Sequence, residues 1–310
     1  MEQDFRIAEL KAWLEKTLGF GLVSLCRLTC VNSLNFKAVR ATDNFAFLVK
    51  CLPSSRYGDY LCLTVHLREM KGTRAVQQVF EDRCVEDFHG NRIVCLEWCD
   101  GRSLFPDELT HDELRRFLED YLALSEALQR TTLPLPGYTP KEWRDGALAA
   151  CRGAWGRWLR RMVDETPEEE CCYREDRLRI VHGDLHPGNF AFKDGRVAAY
   201  FDLASFARGY PALDMVRYFG FAAEHLPWFR FGRRARLFRW FGEAVRRLPY
   251  PADEWIVAIN ATWMERIDKK LAGGPARPLV LLHLAVAGRL YWKLRRIVWE
   301  NSGKGASGHV

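Results

Sequence analysis

The stretch that most constrains this chain is His182-Gly183-Asp184-Leu185-His186-Pro187-Gly188-Asn189, followed by Tyr200-Phe201-Asp202. It sets an aspartate, an asparagine five residues on, and a second aspartate beyond two short apolar runs. Between them, residues 190–201 read as a β-hairpin, with Asp194-Gly195 as the turn and apolar or aromatic residues on either side. Such a hairpin would return Asp202 to Asn189, so that two ligands distant in sequence converge on one cation. Phosphoryl transfer from a metal nucleotide needs this set: one carboxylate to orient and deprotonate the attacking hydroxyl, and an amide oxygen and a second carboxylate to hold metal. Mg²⁺ takes a few protein oxygens and completes its shell with phosphate and water, so Asn189 and Asp202 suffice in number.

The protein-kinase catalytic loop has the same Asp-to-Asn spacing and is likewise followed by a metal-binding Asp. The eight-residue string resembles, more closely still, the catalytic loop of the aminoglycoside phosphotransferase and choline kinase group of small-molecule kinases. The resemblance extends through Asp202 to Gly209-Tyr210-Pro211-Ala212-Leu213-Asp214 and is strong over roughly residues 180–220. It implies an α+β, bilobal protein-kinase-like fold with a small antiparallel-sheet N-lobe and a mostly helical C-lobe. It also implies roles. Asp184 is the catalytic base, Asn189 and Asp202 are the metal ligands, and His182 and Asp214 brace the loop. His186 is expected to shape the loop rather than to touch substrate. Ala204 stands where many relatives carry a second acidic residue, which weakens any second metal site.

The N-terminal part fits the smaller lobe. An amphipathic helix is expected over residues 5–18, with Ile7, Leu10, Leu14 and Leu18 on one stripe. Strands are expected over 22–29, 36–41, 45–51, 85–88 and 92–98, with a helix over 61–80. Lys50 ends the third strand, where a kinase-like fold needs a lysine for the α- and β-phosphates. Glu69 on the following helix is the expected partner of Lys50, with Glu81 second. Residues 29–37 occupy the phosphate-loop position without a glycine, leaving Ser33 and Asn35 as its polar groups. Cys95-Leu96-Glu97-Trp98-Cys99-Asp100-Gly101 resembles the inter-lobe hinge, whose backbone at Glu97–Cys99 would meet a purine. Residues 1–99 are thus expected to form a nucleotide-binding lobe and residues 100–310 a catalytic and substrate-binding lobe. Helices are expected over 112–130, 143–163, 213–223, 227–247, 252–272 and 278–299.

The expected activity is ATP- and Mg²⁺-dependent transfer of the γ-phosphate to a hydroxyl of a small molecule such as a sugar, amino alcohol or aminoglycoside-like compound. The glycine-free loop and Ala204 make a weak or inactive nucleotide-binding module the alternative. The Ala-Pro-Glu motif by which protein kinases anchor substrate is missing after Asp202, which counts against a protein kinase. No run of about 18 apolar residues exists, so no membrane span is expected. The acidic start Met1-Glu2-Gln3-Asp4 is unlike a secretory signal, and the 10 cysteines then read as reduced thiols in a cytoplasmic protein. The net charge of +6 concentrates in the C-terminal third, where Arg230, Arg233, Arg234, Arg236 and Arg239 alternate with aromatics. No nucleic-acid-binding module accompanies them. An amphipathic helix with Phe231, Ala235, Phe238, Phe241 and Val245 on its buried stripe accounts for the pattern, and peripheral contact with anionic lipid is the sharper reading. A polycationic acceptor would need an acidic rim, yet Arg266, Lys269 and Lys270 surround Glu265 and Asp268.

Overall fold

The computed structural model describes residues 7–28, 34–53, 77, 79–81, 87–130, 140–151, 157, 159–161, 163, 166, 173–202, 206–227, 229–271 and 278–302. The chain divides into two compact units. The first comprises residues 1–102, 191–193 and 197–204; the second comprises 103–190, 194–196 and 205–310.

In the first unit, helix α1 (Ile7–Leu18) precedes strands β1 (Leu22–Arg27), β2 (Leu34–Arg40), β3 (Ala46–Pro53), β4 (Val79–Glu81), β5 (Asp87–Phe88) and β6 (Asn91–Glu97). They form one antiparallel sheet in the order β1-β2-β3-β6-β4, with β5 also paired to β6. Two periodicities meet in its core. Leu10, Leu14 and Leu18 recur at the helical period along α1, and Phe36/Ala38, Phe47/Val49/Cys51 and Ile93/Cys95 recur at the strand period of two. One face of the sheet is therefore covered by the helix, and Lys50, between Val49 and Cys51, points from the other. Cys51 and Cys95 serve as buried fillers, and burial pushes the Cys51 thiol up to about 12.

Residues 79 and 80 were expected to close a helix and instead belong to β4, paired with β6. The physical reason is a tertiary one: Val79 and Glu81 pair with Leu96 and Cys95 of β6, and a short apolar run does not announce which period it will follow.

The chain re-enters as the hairpin β8 (Phe190–Lys193) and β9 (Arg196–Tyr200). Its two turn residues both have positive φ, Asp194 at 52° and Gly195 at 75°, as a two-residue type I′ turn requires.

The second unit is mainly helical. Helix α2 (His111–Gln129) starts at a capping box, in which Thr110 and Glu113 satisfy each other's backbone N–H groups. Helix α3 (Pro140–Ala150) follows, then β7 (Arg179–Val181) pairs with β10 (Ala207–Gly209). Helices α4 (Ala212–His225), α5 (Phe231–Arg247), α6 (Ala252–Leu271) and α7 (Pro278–Asn301) complete it. The single helix expected over 143–163 is not continuous: α3 begins earlier, with Pro140 in the first-turn position it favours, and Cys151 is already outside it. On α5, Phe238, Phe241 and Val245 are buried as expected, Leu237 and Ala244 join them, and Phe231 and Ala235 are exposed. No helix among the described residues is long and apolar enough to cross a membrane.

Candidate active site

The second unit positions the loop between β7 and β8. Gly183 has φ of 80°, a left-handed conformation that glycine adopts without penalty. Its N–H donates to Asp214 Oδ1 at 2.8 Å, and the His182 N–H donates to Asp214 Oδ2 at 2.8 Å. The Tyr121 hydroxyl lies 3.1 Å from the same Oδ2 and 2.7 Å from the Pro211 carbonyl oxygen. Asp214 is wholly buried in the first turn of α4, where the helix dipole favours a carboxylate. Burial pushes its carboxyl above the usual range, while His182 and the two N–H donors pull it back down. Asp214 thus clamps the backbone on the N-terminal side of Asp184.

The clamp leaves Asp184 half exposed. Asn189, almost fully buried, donates its amide N–H to the Asp184 carbonyl oxygen at 2.8 Å, so its Oδ1 is the end that can meet a cation. His186 Nδ1 accepts the Gly188 N–H at 3.0 Å, which places the ring proton on Nε2, 3.8 Å from Asp184 Oδ2. The imidazole also stacks on Phe221, with ring centroids 4.9 Å apart and planes 17° from parallel.

The first unit positions the other group. Lys50, buried on β3, donates to Asp202 Oδ1 at 2.6 Å across 152 residues of sequence. Asp202 has φ of 51°, an uncommon conformation for a residue with a Cβ and one that clusters at functional sites. Asn35 lies opposite Lys50 in the β2–β3 register. At the end of β6 the Glu97 carbonyl accepts the Gln77 side-chain amide at 2.9 Å and the Cys99 thiol at 4.0 Å. Burial, then the charges of Glu97 and Asp100, push the Cys99 thiol up to about 11, so it is neutral at physiological pH. Among the described residues no group of three or more His, Cys, Asp or Glu side chains could hold a metal. The Asp202 carboxylate in the first unit and the Asn189 amide oxygen in the second are each hard oxygen donors, of the type that Mg²⁺ rather than a thiophilic ion takes.

Residues 66–248 match the model of the Phosphotransferase enzyme family, APH. The chain belongs to this family. No curated protein matches it in sequence. The phosphotransferase is similar in fold to a solved spectinomycin phosphotransferase holding ADP and spectinomycin, with TM-score 0.66 and 12% identity over 96% of this chain and 99% of that one. A putative aminoglycoside phosphotransferase from Ralstonia eutropha gives TM-score 0.58 and 15% identity over 96% and 98%. An amicoumacin kinase with AMP-PNP and Ca²⁺ gives 0.57 and 11% over 97% and 94%. The expected fold is borne out: the phosphotransferase has the protein-kinase-like architecture of these enzymes.

Within the family fold, the structure brings His182, Asp184, Asn189 and Asp214 into one bonded loop. It brings Lys50 to Asp202 in the other unit. Ser33, Glu69 and Ala204 lie outside the described residues. Sequence reasoning missed the Gln77 amide on Glu97, the Tyr121 hydroxyl on Asp214 and the Phe221 ring under His186. None of the three carries a local signal, since each meets its partner only through tertiary packing.

Proposed function

We propose that the protein is an ATP-dependent kinase that transfers the γ-phosphate to a hydroxyl of a small molecule. The observation that carries this reading is the Lys50–Asp202 pair. A buried strand lysine and a left-handed aspartate, far apart in sequence, meet at 2.6 Å and form a cation and an anion suited to phosphate and metal. Lys50, with Glu69 as its further partner, would position the donor phosphates. Ser33 and Asn35 would line the phosphate loop, and the backbone at Glu97 and Cys99 would bind the purine. Asn189 and Asp202 would hold Mg²⁺, which supplies charge neutralisation on the β- and γ-phosphates. Asp184 would accept the acceptor's hydroxyl proton, and His182 and Asp214 would hold its loop in place. Residues 1–99 would serve nucleotide binding, and residues 100–310 catalysis and acceptor recognition. Most of the acceleration would come from positioning and preorganised charge.

The acceptor is a neutral or anionic hydroxyl compound rather than a polycation. Glu265 is bonded by Arg217 at 2.5 Å and Lys269 at 2.6 Å, and Glu224 is bonded by Tyr291 at 2.8 Å with Arg266 at 3.4 Å. Carboxylates already neutralised from within have little charge left for amino groups.

The test is a screen for nucleotide- and Mg²⁺-dependent phosphate transfer over sugars, amino alcohols and aminoglycosides. Asp184→Asn should lower kcat about 10²- to 10⁴-fold, the usual worth of a general base, without lowering the melting temperature. Wild-type turnover by that variant would overturn the assignment.

A further inference from the structure

We propose that the exposed face of α5 and α7 docks on a bilayer bearing anionic phospholipid headgroups. Six of the eight large hydrophobic side chains exposed among the described residues lie here. Phe229 and Phe231, at the entry to α5, are 55% and 70% exposed, and on α7 Leu282 and Trp292 are 62% and 65% exposed, joined by Val286 and Trp299. Six exposed apolar side chains on two adjacent helices exceed the scattered single residues that a soluble surface ordinarily carries.

The two helices present one surface. Lys293 Nζ sits 4.0 Å over the Phe238 ring, Gly242 faces Ile297, and Arg246 bonds Asn301 at 2.6 Å. These three contacts share one sequence offset, so the helices run parallel, and the same offset sets Phe231 level with Val286. Along α7, exposed Leu282, Val286, Arg289, Lys293 and Arg296 follow the helical period, with Trp292 and Trp299 on one flank.

Charge selects the occupant. From Ala212 to Ser302 the chain carries 16 Lys and Arg against 8 Asp and Glu. Arg230, Arg289 and Lys293 have no ion pair among the described residues, and the one acid of the α7 stripe, Glu300, is taken by Arg296 at 2.7 Å. Tryptophan beside Arg and Lys is the composition that settles at headgroup depth: the rings enter the acyl boundary and the cations meet lipid phosphate. A second copy is disfavoured, because a twofold pairing of α7 centred near Lys293 would oppose Arg289 to Arg296.

The experiment is co-sedimentation of the full-length protein with phosphatidylcholine vesicles, with and without phosphatidylglycerol, at low and high salt. Binding is expected only to the phosphatidylglycerol vesicles, and high salt should weaken it. The paired variants Trp292→Ser/Trp299→Ser and Arg230→Gln/Arg289→Gln should each lower partitioning about tenfold or more while melting temperature and oligomeric state are unchanged. The proposal is overturned by failure to sediment with either vesicle, by equal binding to both, or by variants that bind as the parent does. A concentration-dependent dimer lost in the tryptophan variant, with no vesicle binding, would assign the face to a second copy instead.

Discussion

A carboxylate removed from water is costly unless its lone pairs are filled, and Asp214 fills them with two backbone N–H groups and the Tyr121 hydroxyl. Asp214→Asn keeps the shape but replaces one acceptor oxygen by a donor facing an N–H. The expected cost is about 1–3 kcal/mol in urea denaturation, with a fall in phosphotransfer because the loop before Asp184 loosens. That pattern separates it from Asp184→Asn, which should lose activity at unchanged stability; a fully stable Asp214→Asn would contradict the clamp. Cys51 makes a second, purely structural prediction. Burial raises its thiol from an ordinary value near 9 to about 12. The unfolded state then releases the proton first as pH rises, so the contribution to stability is whole below about pH 9 and is lost through about pH 12. Cys51→Ala should flatten the alkaline decline of the melting temperature, and iodoacetamide at mild pH should label exposed Cys26 well before Cys51.

At the scale of elements, the β8–β9 hairpin shows a local sequence signal carried into structure. Asp194-Gly195 adopts the positive φ pair of a type I′ turn, and that turn returns the chain toward Asp202. Gly195→Ala would force a Cβ into φ of 75° at a cost of about 1–2 kcal/mol. The neighbouring Arg116 side chain can shift, so conformation rather than collision sets the loss. Thermal denaturation measures it, and an unchanged midpoint would show that the turn is not under this constraint. Elements of this kind were readable in advance: α1 from its leucine spacing, β1 to β3 from their strand-like stretches, the catalytic loop from its eight letters. Elements defined by a remote partner were not. Val79 and Phe80 become part of a strand because β6 offers an edge, and Phe231, at the start of α5, is exposed rather than on the buried stripe. Likewise the position of Lys50 on β3 followed from pattern, but its bond to Asp202 spans 152 residues and has no trace in either neighbourhood.

Across the whole molecule, the proposed activity divides its demands between the units: Lys50 and Asp202 belong to one, Asp184 and Asn189 to the other. A metal nucleotide that needs groups from both should therefore stabilise both. Ligand that binds only the native state adds about 2.7 kcal/mol at a concentration 100-fold above its Kd. The expected result is a rise of every resolved thermal transition with ATP and Mg²⁺ together, and a much smaller rise with ATP alone, because the Asn189 and Asp202 oxygens would then have no cation to share with phosphate. A chain of two compact units need not melt in one step, so each transition is compared separately. Asp202→Asn is the decisive variant. It retains a neutral oxygen near Lys50 but removes the one carboxylate among the proposed metal ligands, so its own melting point falls while the Mg²⁺-dependent increment collapses. If the increment survives unchanged, Asp202 serves only as the counter-ion of Lys50, and metal binding must be sought elsewhere in the chain.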